Sequence, residues 1–335
     1  MYPRKQICTR VVRFLKEWTL PVAIAFGTAS YLLFYLVPQL DAAGTLLAPV
    51  FDFLLPVSVF LTLLITFCKV DFRQMPPHRW HAGVLMAQLL LVGMATVACW
   101  WSDTLTGGQG KGDGSTLPYK LLSEALLTCI IGPSASAAPV VAGKLGGNIS
   151  TMTTYTLLSA FLSALLIPLI FPLLEQTVHT DFTTAFLTIL YKVAVVLLLP
   201  LVLGWLIQHH AAGAARRIAA MPNLSFYTWA VSLAITTGIT VRNITHSDAT
   251  LTLLAAIAAG TLLLCLVQFA VGRAIGRQLG EEINAGQALF QKNTGLSIWV
   301  SYMYLSPVAS IGAGCYVLWQ NIINSAEIWA YNSRK

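Results

Sequence analysis

Charged residues are scarce in this chain of 335 residues: Asp, Glu, Lys and Arg make up 10% of it, whereas hydrophobic residues make up 56%. A soluble domain needs a charged surface, so this composition leaves no room for a sizeable soluble domain. The sequence also lacks a CxxC pair among its six cysteines, and it lacks HExxH, GxSxG and DDxxD motifs. These absences speak against a disulfide framework, a zinc site and a membrane-embedded enzyme. We expect no cofactor.

Long apolar runs are abundant instead. Runs of about 20 residues recur from end to end, and each is long enough to cross the hydrocarbon core of a bilayer. The pattern predicts an all-α polytopic membrane protein, a single membrane domain over residues 1–335 with ten transmembrane helices. The predicted spans are 18–37, 45–67, 82–101, 119–145, 150–174, 183–207, 224–240, 249–271, 283–305 and 307–329.

The net charge of +7 is explained better by orientation in the membrane than by nucleic-acid binding, because the basic residues are spread over short loops. With both termini in the cytoplasm, 15 of the 20 Lys and Arg residues lie on the cytoplasmic side, and two lie on the other. The basic N-terminus precedes an apolar stretch without a clear cleavage site, which indicates a retained first helix. We expect a monomeric, multi-pass protein of a bacterial inner (plasma) membrane, with organelle membranes as the less favoured alternative.

Two of the predicted spans are broken. The fourth breaks at Gly132 and Pro133, because proline removes a backbone donor and clashes with the preceding turn. The ninth has a polar interruption that runs from Lys292 to Gly295. Backbone freed in this way is tolerated in a membrane only where it is buried in protein or lines a cavity. The breaks therefore indicate a binding site, with a plain proline kink as the alternative.

The breaks also indicate an internal symmetry. Each broken helix is the fourth of a five-helix half, and an odd number of spans per half forces the halves into opposite orientations. Residues 18–174 and 183–329 are therefore predicted to be inverted five-helix repeats. Their broken helices 4 and 9 would cross near the membrane midplane.

Ionisable side chains within the spans are costly in hydrocarbon. Asp52 and Lys192 occupy equivalent helices of the two halves, and we expect them to form a structural ion pair; a substrate or proton role is the alternative. Lys120 and Glu124, spaced i, i+4, are predicted to pair on one helix face. Lys292 lies midway along its span without a carboxylate of its own helix nearby, which favours a functional role over snorkelling to an interface.

The remaining candidates are read as structural. Glu327, near the end of the last span, is expected to reach interfacial water, and all six histidines fall in loops or at span ends. The cysteines are expected to be small packing residues. They are Cys8, Cys68, Cys99, Cys129, Cys265 and Cys315.

Several short motifs follow one another in a specific order. From the N-terminus they are LMAQLL around Gln88, Pro133 with its run of small residues, a GGN turn at 146–148, a TLLS…P…P continuation in the fifth span, and the Asn293-Thr294-Gly295-Leu296 core of the ninth. In this order and spacing the chain resembles the bile acid:sodium symporter family over nearly its whole length. The resemblance implies a core of helices 3–5 and 8–10 and a panel of helices 1, 2, 6 and 7. Substrate would bind between the two, which would move against each other to give alternating access.

The sequence departs from the family at the sodium ligands that the resemblance implies. Ser and Asn after the first break become Ala138 and Pro139, Ser becomes Met152, Glu becomes Ala288 and Gln becomes Lys292. Sodium is a hard cation that needs several oxygen ligands, so we predict sodium-independent transport with the Lys292 ammonium in place of the ion, or coupling to a proton instead. The degenerate coupling-ion site comprises Gln88, Ala138, Pro139, Met152, Thr156, Ala288 and Lys292.

The expected substrate is a small organic anion, bile-acid-like or a smaller carboxylate, because a central lysine with nearby hydroxyl and amide donors suits a carboxylate or sulfate. An ordinary sodium-coupled bile acid symporter and a non-transporting receptor or sensor on the same fold are the alternatives. A channel is disfavoured by the broken-helix repeat. The predicted substrate-binding residues are Ser134, Ser136, Lys292, Asn293 and Thr294, and the predicted helix-break residues are Gly132, Pro133 and Gly295.

Overall fold

The computed structural model describes residues 19–70, 75–105, 117–174, 181–221 and 224–334. These residues form fourteen α-helices and one short 3-10 helix, and among them no strand occurs beyond one isolated bridge. The all-α class is confirmed. The helices are α1 (Thr19–Leu36), α2 (Asp41–Lys69), α3 (Arg79–Leu105), α4 (Leu117–Ile131), α5 (Ala138–Lys144), α6 (Ile149–Leu174), α7 (Phe182–Leu197), α8 (Leu199–His210), α9 (Ala212–Ala219), α10 (Leu224–Thr245), α11 (Leu251–Leu279), α12 (Glu282–Phe290), α13 (Thr294–Tyr304) and α14 (Pro307–Asn332).

Each predicted span coincides with helical structure. The fourth span is α4 with α5, the sixth is α7 with α8, and the ninth is α12 with α13. Five helices of the described chain are long and apolar enough to cross a membrane, and a shorter apolar helix covers Pro21–Leu36. Membrane crossing by the other predicted spans stays a prediction. The five are Ala42–Lys69, Arg79–Ser102, Ile149–Leu174, Phe182–His210 and Leu251–Leu279.

Two helices differ from the expectation. The sixth span is divided at Leu198, because Pro200 in the first turn of α8 has no N–H for the carbonyl four residues earlier. A short helix that the apolar pattern does not predict, α9, follows α8 and carries Arg216 and Arg217 in its last turn. The basic residues before position 19, with Cys8, and the Gly-rich loop at 106–116 lie outside the described residues.

Helix boundaries follow from local capping chemistry. Asp181, Thr250 and Ser306 precede α7, α11 and α14, and each side-chain oxygen accepts a hydrogen bond from the backbone N–H three residues later, at 3.2, 3.2 and 3.0 Å. Such caps satisfy N–H groups that have no partner inside the helix. α11 is followed by Gly280, whose φ of +77° is a left-handed conformation that favours glycine and ends the helix.

The helices pack in two groups. α1, α2, α8 and α10 pack on one another, and α3 to α6 pack with α11 to α14. α7 packs against α6 in the second group and against α2 and α8 in the first. Leu55, Val59, Leu63 and Phe67 recur every fourth residue along α2, so they form one buried face in the largest apolar cluster. The two groups therefore meet across an apolar seam.

We expect Gly312→Ala to destabilise the protein by about 1–3 kcal/mol, the usual cost of overpacking a core. Gly312 lies on α14, and a Cβ there would overlap the carbonyl oxygen of Ala125 on α4. Gly93→Ala on α3 is the matched control, because a Cβ at that position meets no heavy atom within 4 Å. Thermal unfolding in detergent measures both, and equal unfolding temperatures for the two variants would contradict the packing of α4 on α14.

Candidate functional site

The two interrupted helices meet at their interruptions. Residues 132–137 separate α4 from α5, and residues 291–293 separate α12 from α13. Ser134 and Lys292 face each other there as an antiparallel pair. The first break lies where the sequence predicts it, and the second begins one residue earlier than predicted and ends two residues earlier.

Backbone hydrogen bonds join the two segments. The N–H of Ala135 donates to the carbonyl oxygen of Gln291, and the N–H of Asn293 donates to that of Pro133, both at 2.8 Å. Groups freed by one broken helix are thus paired with groups freed by the other. This pairing is what permits irregular backbone inside an apolar bundle.

Side chains satisfy the end of α4. The amide nitrogen of Gln88, on α3, donates to the carbonyl oxygens of Ile130 and Gly132 at 3.3 and 3.2 Å. The hydroxyl of Ser163, on α6, donates to the carbonyl oxygen of Ile131 at 2.7 Å. Gln88, predicted as a coupling-ion residue, therefore caps a helix end in this structure.

A second set of side chains satisfies the other interruption. Gln320 Oε1 accepts from the N–H of Lys292 at 3.0 Å, and Gln320 Nε2 donates to the Lys292 carbonyl oxygen at 3.3 Å. The Tyr316 hydroxyl donates to the carbonyl oxygen of Phe290 at 2.6 Å, and it accepts from Gln268 Nε2 at 2.9 Å. All of these side chains are buried.

The two sets correspond. In each set, a glutamine on the helix before the broken helix is hydrogen-bonded to a tyrosine on the helix after it. The residue four positions after that tyrosine accepts a hydrogen bond from the backbone N–H of Ser134 or Lys292, the two residues that face each other at the junction. The first set is Gln88, Tyr155 and Ser159 with Ser134, and the second is Gln268, Tyr316 and Gln320 with Lys292.

Lys292 is enclosed at this junction. Its relative exposure is 1%, and its Nζ has no hydrogen-bond partner among the described residues. The described chain also places no carboxylate within salt-bridge distance of it. The Cys129 thiol of α4 is close enough to interact with it electrostatically. The side chain points into the protein, so the snorkelling alternative is wrong.

A small cavity that is open on one side lies beside the junction. Four predicted substrate-binding residues line it: Ser136, Lys292, Asn293 and Thr294. The opposite wall comes from α2 and α10, so the cavity lies between the two packing groups. That wall consists of Val59, Thr62, Trp229, Ser232, Leu233 and Thr236.

Three predicted site residues have positions or contacts that the sequence does not predict. Ser134 is not among the cavity-lining residues; it is buried, and its Oγ has no hydrogen-bond partner among the described residues. Gly295 lies in the first turn of α13, not in the interruption, and a Cβ there would approach Val59 Cγ2 at 3.1 Å. Asn293 caps α13, since its Oδ1 accepts from the N–H of Leu296 at 3.2 Å.

The degenerate coupling-ion positions lie in an apolar environment. Ala138, Met152 and Ala288 are buried in one apolar cluster with Trp80. Pro139 is also buried, and the hydroxyl of Thr156 donates to the carbonyl oxygen of Met152 at 3.0 Å. Alanine, proline and methionine side chains offer no oxygen to a hard cation.

A family model described as Sodium Bile acid symporter family matches residues 56–247, more than half of the chain. The chain belongs to the sodium bile acid symporter family. The matched stretch runs from α2 to α10 and contains the first interruption. Family membership indicates a multi-pass membrane transporter and fits the expectation that the protein is not an enzyme. A comparison with curated proteins finds no match.

One ion pair in this symporter-family member differs from the prediction. Asp52 pairs with Arg242 at 2.7 Å, not with Lys192, because α10 rather than α7 lies against this part of α2. The Arg242 guanidinium also stacks over the Tyr302 ring at 5.3 Å, and Lys192 Nζ lies 5.8 Å from the Tyr304 ring centre. Both cations thus contact the last turn of α13.

Of the other predictions about charged residues, one is confirmed and one is not. Lys120 and Glu124 form the expected i, i+4 pair, with 3.8 Å between nitrogen and oxygen. Glu327 does not simply face interfacial water: its carboxylate pairs with Arg273 and accepts from Gln287 Nε2 at 2.7 Å. The cysteines of the described chain are free thiols, as expected: Cys68, Cys99, Cys129 and Cys265 are buried, and Cys315 is partly buried.

The residues missed at sequence level are polar side chains inside apolar spans. Ser159 and Ser163 on α6, and Tyr316 and Gln320 on α14, hold the interruptions from the two sides. Their i, i+4 spacing places each pair on one helix face, and this spacing is the signal that was available. Gln268 has no hydroxyl or amide side chain three or four residues away in its helix and so offers no such pattern.

We expect a double-mutant cycle of Asp52→Asn and Arg242→Gln to give a coupling energy of about 1 kcal/mol, since the pair is only partly exposed. The matched cycle of Asp52→Asn with Lys192→Gln should give less than about 0.3 kcal/mol, because these side chains are not paired. The measurement is the free energy of unfolding in mixed detergent micelles, followed by circular dichroism. Coupling in the second cycle alone would restore the sequence-based pairing.

Proposed function

We propose that this protein is a secondary transporter of organic anions that works by alternating access without sodium, with the Lys292 ammonium in place of the bound ion. The observation that carries the proposal is the burial of Lys292 where the two broken helices meet. The family relationship supports a carrier of the sodium/bile acid symporter type. Sodium independence and the role of Lys292 are the steps we add.

The junction suits a cation. α4 and α12 both end there, and the C-terminal end of a helix carries a partial negative charge from its aligned peptide dipoles. In many carriers, such half-helix ends and unwound carbonyls hold the coupling ion. A lysine that reaches this point supplies a tethered positive charge. The cost of burying the ammonium is offset by those dipoles.

The surroundings of the degenerate positions support the absence of bound sodium. Ala138, Met152 and Ala288 pack together as apolar residues. Gln88 retains the family residue type, but its Oε1 accepts a hydrogen bond from the Tyr155 hydroxyl at 3.3 Å, and its amide nitrogen donates to helix carbonyls. A sodium ion placed here would lack the several oxygen ligands that it requires.

We further propose that residues 18–174 and 183–329 form inverted repeats. The support is the correspondence between the two sets of side chains that hold the interruptions. Helices 1, 2, 6 and 7 would form the panel, and helices 3–5 and 8–10 the core. The two packing groups of helices support this division, with α7 in contact with both groups.

Alternating access follows from the position of the cavity. Its walls belong to different groups, so a relative movement of the groups would open and close it. At one end, the Asp52–Arg242 pair of α2 and α10 stacks on Tyr302 of α13 and joins the groups. We propose that this contact closes one entrance in the conformation described.

The lining supports an anionic substrate. Ser136, Asn293 and Thr294 offer hydroxyl and amide donors on the core side. Ser232 and Thr236 offer hydroxyls on the panel side, and the buried charge of Lys292 lies next to the cavity. Donors near a positive charge suit a carboxylate or sulfate, whereas the apolar wall suits the rest of an amphipathic molecule. We propose a bile-acid-like molecule or a smaller carboxylate.

We also propose that the protein lies in a bacterial inner membrane as a monomer, with both termini in the cytoplasm. The support for the orientation is the distribution of basic residues, 15 of 20 of which fall on the cytoplasmic side.

The test is uptake of radiolabelled taurocholate into proteoliposomes, with sodium, potassium or a pH gradient as the only variable. We expect uptake at the same rate in sodium and in potassium, because no bound sodium is needed. Lys292→Met should lower the rate by about tenfold or more, since the junction loses its cation. Lys144→Met, which removes an exposed lysine at the end of α5, is the matched control and should keep the rate.

Three other outcomes would contradict parts of this proposal. Uptake that saturates with sodium would show an ordinary sodium-coupled symporter and would contradict the role of Lys292. Taurocholate binding without uptake would show a receptor or sensor. An unchanged rate for Lys292→Met would separate the lysine from transport altogether.

A further inference from the structure

A row of buried polar side chains leads away from the junction along α14. Gln320, Asn324 and Glu327 are spaced by four and three residues, so they lie on one face of the helix. Gln320 holds the backbone of Lys292. Glu327 lies seven residues further, which corresponds to about 10 Å along the helix axis. The row thus connects the buried lysine with a carboxylate near the end of the bundle.

α12 also carries polar residues between Glu327 and the junction, but its chain runs towards the junction. Gln287 contacts Glu327 at 2.7 Å, and Gln291, four residues later, adjoins Lys292. Successive residues of α12 therefore run from Glu327 towards the junction, whereas those of α14 run away from it. Both helices thus carry polar residues between the junction and Glu327.

Many polar atoms along this line have no hydrogen-bond partner among the described residues. Both side-chain amide atoms of Asn324 and of Gln291 are in this state, as are Gln287 Oε1 and Lys292 Nζ. All four residues are buried, with Asn324 the most exposed at 5%. Buried polar groups in proteins are nearly always hydrogen-bonded, to protein or to ordered water. These atoms therefore mark the position of a bound polar species.

The chemistry of these atoms identifies the species. Each amide of Gln291 and Asn324 contributes one donor and one acceptor, whichever way it is turned. Gln287 Oε1 adds an acceptor, and Lys292 Nζ adds donors. A bound anion would satisfy the donors only and would leave the acceptors unpaired. Water donates and accepts, and buried waters typically make about three hydrogen bonds to such groups.

We propose that a chain of internal water molecules links Lys292 to Glu327 and carries protons between them, which makes the transporter proton-coupled. The Lys292 ammonium releases a proton to the adjacent water and becomes an amine. The chain passes one proton on, and the Glu327 carboxylate accepts it and becomes neutral. Glu327, which is partly exposed, then releases the proton to water at its end of the bundle, and Lys292 takes its next proton from water in the cavity, so that one proton crosses in each cycle and no other reactant is needed. The inference rests on the proposed function, because it assigns the charge change to the lysine that stands in for sodium.

The charged and titratable groups around the two ends are few. The Cys129 thiol of α4 lies near Lys292, and three further groups surround Cys129. The cavity wall formed by α2 and α10 adds none. Glu327 faces Arg273 of α11, which also pairs with Glu282 of α12. The three groups around Cys129 are Cys265, Cys315 and Tyr316.

The experiment compares Asn324→Leu with Asn321→Leu in proteoliposomes, with radiolabelled taurocholate as the probe. Asn321 is a matched control on the same helix: its amide donates to the carbonyl oxygen of Val317 at 2.8 Å and lies off the row. We expect the pH-gradient-driven rate of Asn324→Leu to fall by about tenfold, because the leucine interrupts proton transfer. Its taurocholate exchange without a gradient should stay within about twofold of wild type. Asn321→Leu should match wild type in both assays.

Two results would overturn the proton path. One is a wild-type rate that ignores the pH gradient, and the other is an equal effect of the two asparagine variants. Taurocholate exchange depends on the carrier alone and not on the proton path. If Asn324→Leu keeps exchange but loses the response to the pH gradient, the proton path and the proposed function are therefore tested separately.

A second measurement works without any substrate, and it decides the matter if taurocholate is not carried or if Asn324→Leu does not fold. It follows the unfolding temperatures of wild type and Lys292→Met from about pH 5 to about pH 9. If Lys292 loses its proton within this pH range in the folded state, the difference between the two temperatures changes with pH. A difference that stays constant would overturn the proton path even where taurocholate uptake supports the carrier.

Discussion

Backbone groups cannot be left without hydrogen bonds in an apolar bundle, and this constraint governs the centre of the structure. Two helices stop in mid-course, at Ile131 and Phe290, and each leaves carbonyl and N–H groups to be satisfied. The interruptions pair with each other, and side chains from the flanking helices complete the set. The position of every other element near the centre follows from this requirement.

The same constraint explains why polar residues occur deep inside apolar helices. Gln88 and Ser163 serve the end of α4, whereas Tyr316 and Gln320 serve the second interruption. These side chains are costly in hydrocarbon on their own. Paired with freed backbone, they hold the two broken helices in one register. Lys292 differs from these side chains, because its backbone is paired and its ammonium is not, and both proposals start from that difference.

Sequence reasoning was most reliable for local features. The helical class, the break at Gly132 and Pro133, and the pair of Lys120 with Glu124 all follow from apolar runs, proline chemistry and helix periodicity, which act over a few residues. It was least reliable for partners far apart in the chain. Asp52 and Lys192 look equivalent along the sequence, yet Asp52 pairs with Arg242, because the packing of α10 on α2 decides which side chain is near.

The sequence by itself thus determined the class of the protein, the break at Gly132 and Pro133, and which charge inside a span has no carboxylate of its own helix nearby, since these depend on composition and on local chemistry. Only the tertiary structure decided that Ser134 meets Lys292, that Gln88 caps a helix end, and that Gln320 holds the backbone of Lys292 whereas Gln287 contacts Glu327. The reason is physical: hydrogen bonds and packing between distant segments depend on the relative placement of helices. No short stretch of sequence contains that placement.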